Sequence, residues 1–216
     1  MKLNLPNKLT LVRCVMVPLI MFFMLVPLFD NPMWSRIISA VVFLGAAITD
    51  ALDGNIARSR NLVTNFGKFL DPLADKLMVI CSLLCLTVAG GMDYYNTGAV
   101  CDLPLFGETV FDWSFLNPVL MAWVTAIVIL RELAVTSLRL VVAAGDEKIV
   151  VAANWMGKLK MVMQTVFVMT ALLEPIIFPW FNQALTWICL AIMVISTVIS
   201  GFDYIRSYWK YINPAK

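Results

Sequence analysis

The sequence contains no histidine. This absence excludes every mechanism that uses an imidazole as general base, including serine–histidine and cysteine–histidine triads. It also removes the nitrogen ligand that would complete a zinc site around the five cysteines. Cys81 and Cys85 share a helix face, but the usual burial of free cysteine accounts for such a pair. Any acid–base or metal-binding chemistry is therefore expected among the carboxylates.

Charged residues are scarce, at 14% of the 216 residues, whereas 61% are hydrophobic. Soluble domains carry about 25% charged residues. Several apolar runs approach the roughly 20 residues that a helix needs to cross a bilayer, and lipid favours helices because their backbone hydrogen bonds close internally. We predict an all-α integral membrane protein, one domain over residues 1–216. Its six transmembrane helices are predicted near residues 8–29, 33–57, 69–91, 115–143, 159–179 and 182–209.

Basic residues are absent from one long part of the chain, between residues 77 and 130, whose loop carries only acidic charge. Nearly all Lys and Arg residues lie near the opposite ends of the predicted spans, and Arg36 is the exception. Because cytoplasmic loops carry an excess of basic residues, this alternation predicts that both termini are cytoplasmic.

Several aromatic residues lie near the ends of predicted spans. Membrane proteins place Trp and Tyr at the two interfaces between lipid and water. We interpret these rings as such a belt: Trp155, Trp180, Tyr204, Tyr208, Trp209 and Tyr211.

Four aspartates stand close together in the stretch DALDGNIARSRNLVTNFGKFLDPLAD, residues 50–75. Asp50 and Asp53 are three residues apart and Asp71 and Asp75 are four apart, so each pair shares one face of a helix. The first pair closes the second predicted span and the second pair opens the third, so antiparallel packing would bring all four together. Adjacent carboxylates cannot all stay ionised without cations. A site made of carboxylates alone suits Mg²⁺, Mn²⁺ or Ca²⁺.

Two other interpretations of this stretch stay open. One is a solvated, charged loop whose acids are balanced by nearby Lys and Arg. The other is a non-catalytic cation transporter or lipid-binding membrane protein that uses the acids as an ion site. Gly54, Ala57 and Gly67 favour a binding site over a loop, because small residues let a ligand approach the backbone. A transporter would carry acids midway through several spans, whereas Glu132 is the main deep candidate.

The fixed positions of the stretch match Asp-x2-Asp-Gly-x2-Ala-Arg-x8-Gly-x3-Asp-x3-Asp, so the chain resembles the CDP-alcohol phosphatidyltransferase family. Four stretches, LPNKLTLVR (5–13), NFGKFLDPLADK (65–76), ILRELAVTSLRL (129–140) and NWMGKLK (154–160), are similar to the members that form phosphatidylglycerophosphate. The resemblance implies a homodimeric, six-helix enzyme of the bacterial inner membrane, with its active site facing the cytoplasm. It also implies two divalent cations, Mg²⁺ or Mn²⁺, and no nucleic-acid partner.

The resemblance also implies roles for individual residues. The implied reaction is transfer of the phosphatidyl group of CDP-diacylglycerol to an alcohol, by direct displacement and with release of CMP. The implied metal ligands are Asp50, Asp53, Asp71 and Asp75, and Asp75 is also the implied general base. The implied CDP-diacylglycerol-binding residues are Asn7, Thr10, Gly54, Ala57, Arg58, Thr64 and Gly67.

The identity of the acceptor alcohol depends on other residues. Arg131, Arg139, Lys158 and Lys160 cluster at the inner ends of the fourth and fifth predicted spans. A cluster of fixed cations suits an acceptor that bears its own phosphate, although anionic lipid would also attract such charges. Together with the resemblance, the cluster favours glycerol 3-phosphate over serine or choline as acceptor. Inositol phosphate, which is also phosphorylated, stays open.

Overall fold

The computed structural model describes residues 5–26, 32–59, 65–96, 116–144 and 155–212. Within these ranges the chain forms six helices that are long and apolar enough to cross a membrane. The prediction of an all-α membrane protein with six spans is thereby confirmed. The elements are α1 (Leu5–Leu25), α2 (Pro32–Ser59), α3 (Asn65–Asn96), α4 (Pro118–Ala144), α5 (Trp155–Ile177), a 3-10 turn (Pro179–Phe181) and α6 (Ala184–Ile212).

Large apolar side chains cover the outside of the bundle. Trp123, Leu130 and Phe202 are 68%, 70% and 68% exposed, respectively. In a soluble protein, so much contiguous apolar surface would mark an interface or cause aggregation. In a bilayer the same side chains contact acyl chains, which explains why the helices are apolar on their outer as well as their inner faces.

The six helices close into a ring around a shared core. Each helix packs on two principal neighbours, in the order α1, α2, α5, α6, α4, α3 and back to α1. The core is tightly filled, and every helix contributes to it. Representative fully buried residues are Ile20 of α1, Phe43 of α2, Leu86 of α3, Met121 of α4, Phe167 of α5 and Met193 of α6.

Polar contacts between helices show how their ends are arranged. Thr87 and Thr125 share a hydrogen bond of 3.1 Å between α3 and α4, and Lys76 donates to Thr136 between the same two helices. Since the residue number rises along α3 as it falls along α4, the two helices are antiparallel. The end at which α2, α4 and α6 finish and α3 and α5 begin is called the polar end below.

A buried carboxylate fixes the start of α6. Glu174 is 2% exposed and accepts hydrogen bonds from the backbone N–H groups of Leu185, at 2.9 Å, and Thr186, at 2.6 Å. Asn182 and Gln183, in the preceding turn, adopt positive φ angles of 48° and 53°. The first N–H groups of a helix lack internal partners, and a negative charge there also complements the helix dipole. Glu174 thus sets the position of α6 relative to α5.

The third helix begins earlier than the apolar pattern predicts. Its apolar run is predicted near residue 69, whereas α3 begins at Asn65. Pro72 therefore lies inside the helix, where its missing N–H leaves the carbonyl of residue 68 without its usual partner. The hydropathy pattern misses this first part of the helix because polar residues of the signature occupy it.

Candidate active site

A cavity of about 510 Å³ lies among α3, α4, α5 and α6 at the polar end. Asp75 of α3, the predicted general base, lines this cavity. Arg131, Arg139, Lys158 and Lys160, the predicted acceptor-binding residues, line it as well. The fold therefore brings together two sets of residues that were singled out by separate arguments.

One carboxylate oxygen of Asp75 is buried and unsatisfied. Among the described residues, Oδ1 has no hydrogen-bond partner. A buried acceptor left without a partner costs about 1–3 kcal/mol. Such an atom is stabilised by a ligand that brings a cation or a hydrogen-bond donor to it.

Asp50 is joined to α1 through an arginine. Arg13 Nη1 lies 2.7 Å from Asp50 Oδ1, and the arginine side chain is fully buried whereas the carboxylate is 27% exposed. Asn7 and Thr10, predicted to bind the nucleotide, are also buried on α1, at spacings of three residues before Arg13. This face of α1 is therefore polar although the helix crosses the membrane, as expected of a functional surface. Arg13 was not predicted as a site residue.

Other residues of the signature are described only in part. Gly67 is buried in the first turn of α3, and Thr64 lies outside the described residues. Within the part of the chain whose side chains are described, no group of three or more His, Cys, Asp or Glu residues could hold a metal ion. Some predicted ligands lie outside that part of the chain. For five of the predicted site residues the structure describes only the helix to which they belong, and their side chains are outside the described part. These residues are Asp53, Gly54, Ala57 and Arg58 of α2 and Asp71 of α3.

Glu132 binds two cations in the wall of the cavity. Its Oε1 accepts a hydrogen bond from Arg131 Nη1 at 3.1 Å and another from Lys160 Nζ. Arg131, Glu132 and Lys160 are each at most 9% exposed. Charges buried to this degree are tolerated only when they are paired. The shared carboxylate fixes both cations and leaves one net positive charge on this cluster of three residues, which favours an anion.

The prediction that Tyr204 belongs to the aromatic belt is wrong, because its side chain lies inside the bundle. It is 3% exposed and lines the cavity, whereas Trp155 and Trp180 are exposed as a belt requires. Its hydroxyl accepts a hydrogen bond of 2.6 Å from Arg139 Nη2. The belt prediction used only the position of Tyr204 near the end of a span. That position does not determine whether the side chain lies on the lipid face or on the inner face of the helix. For Trp209 and Tyr211 the side chains lie outside the described residues.

A pattern of small and polar residues in α6 would have identified Tyr204 as a residue of the inner face of the helix. Ser196, Thr197, Ser200 and Gly201 stand at the spacing of one helix face, and Tyr204 continues the same face. All five are buried. Because polar and small residues of a membrane helix face protein rather than lipid, this stripe marks the inner side of α6.

Comparison of the sequence with known proteins identifies its family. The family model of the CDP-alcohol phosphatidyltransferases matches residues 3–198. The chain is 39% identical to a CDP-diacylglycerol–glycerol-3-phosphate 3-phosphatidyltransferase of Bacillus subtilis, with 98% of each chain covered. It is 31% identical to the protein of the same name from Yersinia enterocolitica, with 97% of each covered. A probable phosphatidylglycerophosphate synthase of Mycobacterium tuberculosis is 36% identical over 94% of this chain and 80% of its own length. The chain belongs to the CDP-alcohol phosphatidyltransferase family.

Proposed function

We propose that this chain transfers the phosphatidyl group of CDP-diacylglycerol to glycerol 3-phosphate and releases CMP. The observation that carries the proposal is the cavity that Asp75 lines together with five basic side chains, four of which are the predicted acceptor-binding residues. A carboxylate supplies a proton acceptor for an alcohol, and the cations suit an alcohol that carries a phosphate. The names of the relatives from Bacillus subtilis and Yersinia enterocolitica state the same reaction.

The charges of the cavity favour a phosphorylated acceptor. Glu132 neutralises only one of the two cations that it binds. Arg139 and Lys158 add two further positive charges at the cavity, where the charge of Lys76 offsets that of Asp75. An acceptor without a phosphate, such as serine or choline, would leave this excess uncompensated. Arginine also binds phosphate through two parallel hydrogen bonds, which fixes the orientation as well as the position of the acceptor.

Members of this family use divalent metal ions, and the described side chains fit such a group. The unpartnered Oδ1 of Asp75 is the kind of hard oxygen atom that Mg²⁺ and Mn²⁺ prefer. In our proposal Asp50, Asp53, Asp71 and Asp75 hold two such cations. When bound, the cations supply neutralisation of the diphosphate charge and polarisation of the acceptor hydroxyl.

In the proposed mechanism Asp75 takes the proton of the acceptor hydroxyl. The oxygen of that hydroxyl forms a bond to the lipid-side phosphorus of CDP-diacylglycerol. The bond from the same phosphorus to the bridging oxygen breaks, and CMP leaves with the electron pair. Arg131, Arg139, Lys158 and Lys160 hold the acceptor by its phosphate, so that the reacting hydroxyl is presented to Asp75.

The nucleotide of the donor is proposed to bind on the other side of Asp75, against α1 and α2. Asn7 and Thr10 lie buried on the same face of α1 as Arg13, which pairs with the proposed metal ligand Asp50, and this nearness to the proposed metal site supports the assignment. The remaining residues proposed for this site come from the signature and are Gly54, Ala57, Arg58, Thr64 and Gly67.

We also propose that the polar end faces the cytoplasm of a bacterial inner membrane and that both termini lie on that side. The concentration of Lys and Arg at these span ends supports this orientation. A site at the membrane surface lets an acylated donor arrive from the lipid while CMP leaves to water. A homodimer is proposed from the family resemblance.

Purified protein in detergent micelles with CDP-diacylglycerol, glycerol 3-phosphate and Mg²⁺ or Mn²⁺ is expected to release CMP. Chelation of the divalent ions is expected to stop the release, because Asp75 and its neighbours then repel the diphosphate, and added metal should restore it. The rate of CMP formation is measured by chromatography, with a reaction lacking the acceptor as control. Failure to release CMP with either metal would refute the proposed function, and release that survives chelation would refute the metal site.

A further inference from the structure

Three residues of α6, Ser200, Gly201 and Tyr204, form a surface that receives the two arginines of α4. We call this surface the α6 seat. Arg131 Nη2 donates a hydrogen bond of 3.0 Å to Ser200 Oγ. The same hydroxyl donates to the carbonyl of Thr197 at 3.0 Å, so its lone pairs are directed to the guanidinium group. The hydroxyl is therefore oriented before any substrate binds.

Gly201 provides the space that Arg131 occupies. A Cβ atom at this position would lie 3.0 Å from Cγ of Arg131, a distance that real Cβ atoms rarely show. Cγ lies only two bonds from the Cα atom of Arg131, so it cannot move aside as easily as the tip of the side chain. Even a methyl group here would therefore displace Arg131.

Tyr204 contacts both arginines. The guanidinium of Arg139 lies 5.2 Å from the ring centroid and that of Arg131 lies 5.8 Å from it. A cation within about 6 Å of an aromatic ring is attracted to the negative face of the ring. The tyrosine hydroxyl in addition accepts the 2.6 Å hydrogen bond from Arg139. One side chain thus holds two like charges close together at the wall of the cavity.

We propose that the α6 seat positions the guanidinium groups of Arg131 and Arg139 for the phosphate of the acceptor and so sets the affinity for it. This inference rests on the proposed function. A free arginine side chain loses rotamer entropy when it binds a ligand. Ordering both arginines in advance lowers that cost, which increases affinity without any new contact to the substrate. The donor is proposed to bind against α1 and α2, so its affinity is not expected to depend on the α6 seat.

Steady-state kinetics of substituted proteins test the inference. Tyr204→Phe removes the hydroxyl and keeps the ring, and we expect it to raise KM for glycerol 3-phosphate about 10-fold. Tyr204→Leu removes both contacts and is expected to raise KM by roughly 100-fold. Gly201→Ala is expected to raise KM as well, because the new methyl group displaces Arg131. In all three, kcat and KM for CDP-diacylglycerol should stay close to those of the unmodified protein.

Phe202→Leu is the matched control, since Phe202 lies between these residues in sequence but is 68% exposed on the outside of α6. It should leave every constant unchanged. Unchanged KM for glycerol 3-phosphate in all three seat variants would overturn the inference, as would a parallel loss of kcat and of affinity for both substrates. If the unmodified protein itself does not turn over glycerol 3-phosphate, the proposed function fails and the inference fails with it. That outcome is distinguishable because it appears before any substitution is made.

Discussion

Replacement of Asp75 by asparagine is expected to slow CMP release about a thousand-fold. The amide has nearly the same shape as the carboxylate but cannot accept the proton of the acceptor hydroxyl. It also replaces one oxygen of a buried group whose Oδ1 has no partner among the described residues, so the tendency of this position to attract a cation is lost. The measurement is the steady-state rate with saturating CDP-diacylglycerol and glycerol 3-phosphate.

Two comparisons separate loss of chemistry from loss of structure. KM for CDP-diacylglycerol should change far less than kcat, because the donor has other proposed contacts on α1 and α2. Asp203→Asn serves as the control, since Asp203 also lies near the polar end on α6 but is not among the residues that line the cavity. It should retain nearly the full rate. An Asp75→Asn protein with close to normal kcat would remove Asp75 from the role of general base.

Glu132→Gln is expected to lower the free energy of unfolding by about 3 kcal/mol. The substitution leaves Arg131 and Lys160 as two buried cations that have lost their shared carboxylate. They then repel each other and move apart, so KM for glycerol 3-phosphate should rise at the same time. Thermal unfolding in detergent measures the first effect and steady-state kinetics the second.

A double substitution shows whether the charge balance is the cause. Adding Lys160→Met to Glu132→Gln removes one of the two unpaired cations, and part of the lost stability should return. Affinity for glycerol 3-phosphate should not return, because Lys160 is itself proposed to bind the phosphate. If Glu132→Gln is as stable as the unmodified protein, Glu132 does not have the structural role assigned to it.

Much of this fold could be predicted because placing a charged side chain in the lipid core costs free energy. In a chain with so few charged residues, each acid or base inside an apolar run therefore indicates a functional or structural role. The helical spacing within the pairs Asp50–Asp53 and Asp71–Asp75 therefore predicted a site from the sequence alone. The cations Arg131 and Lys160 were identified in the same way, and the structure places them beside Asp75 at one cavity.

The contacts that hold those cations could not be predicted. Arg131 is 69 residues from Ser200 and Arg139 is 65 residues from Tyr204 along the chain, so their pairing depends on the rotation of α6 against α4. Tyr204 was misinterpreted because an aromatic residue near a span end fits a membrane belt equally well. The pair of Arg13 with Asp50 depends likewise on how α1 packs against α2, which no local pattern specifies.

A competition between acceptors tests the central claim most directly. Purified protein with CDP-diacylglycerol, a divalent metal and equal concentrations of glycerol 3-phosphate, inositol phosphate and serine is incubated, and the lipid products are identified by mass spectrometry. We predict phosphatidylglycerophosphate as the dominant product, formed in step with CMP. A lipid product from serine or inositol phosphate, without phosphatidylglycerophosphate, would contradict the proposed function.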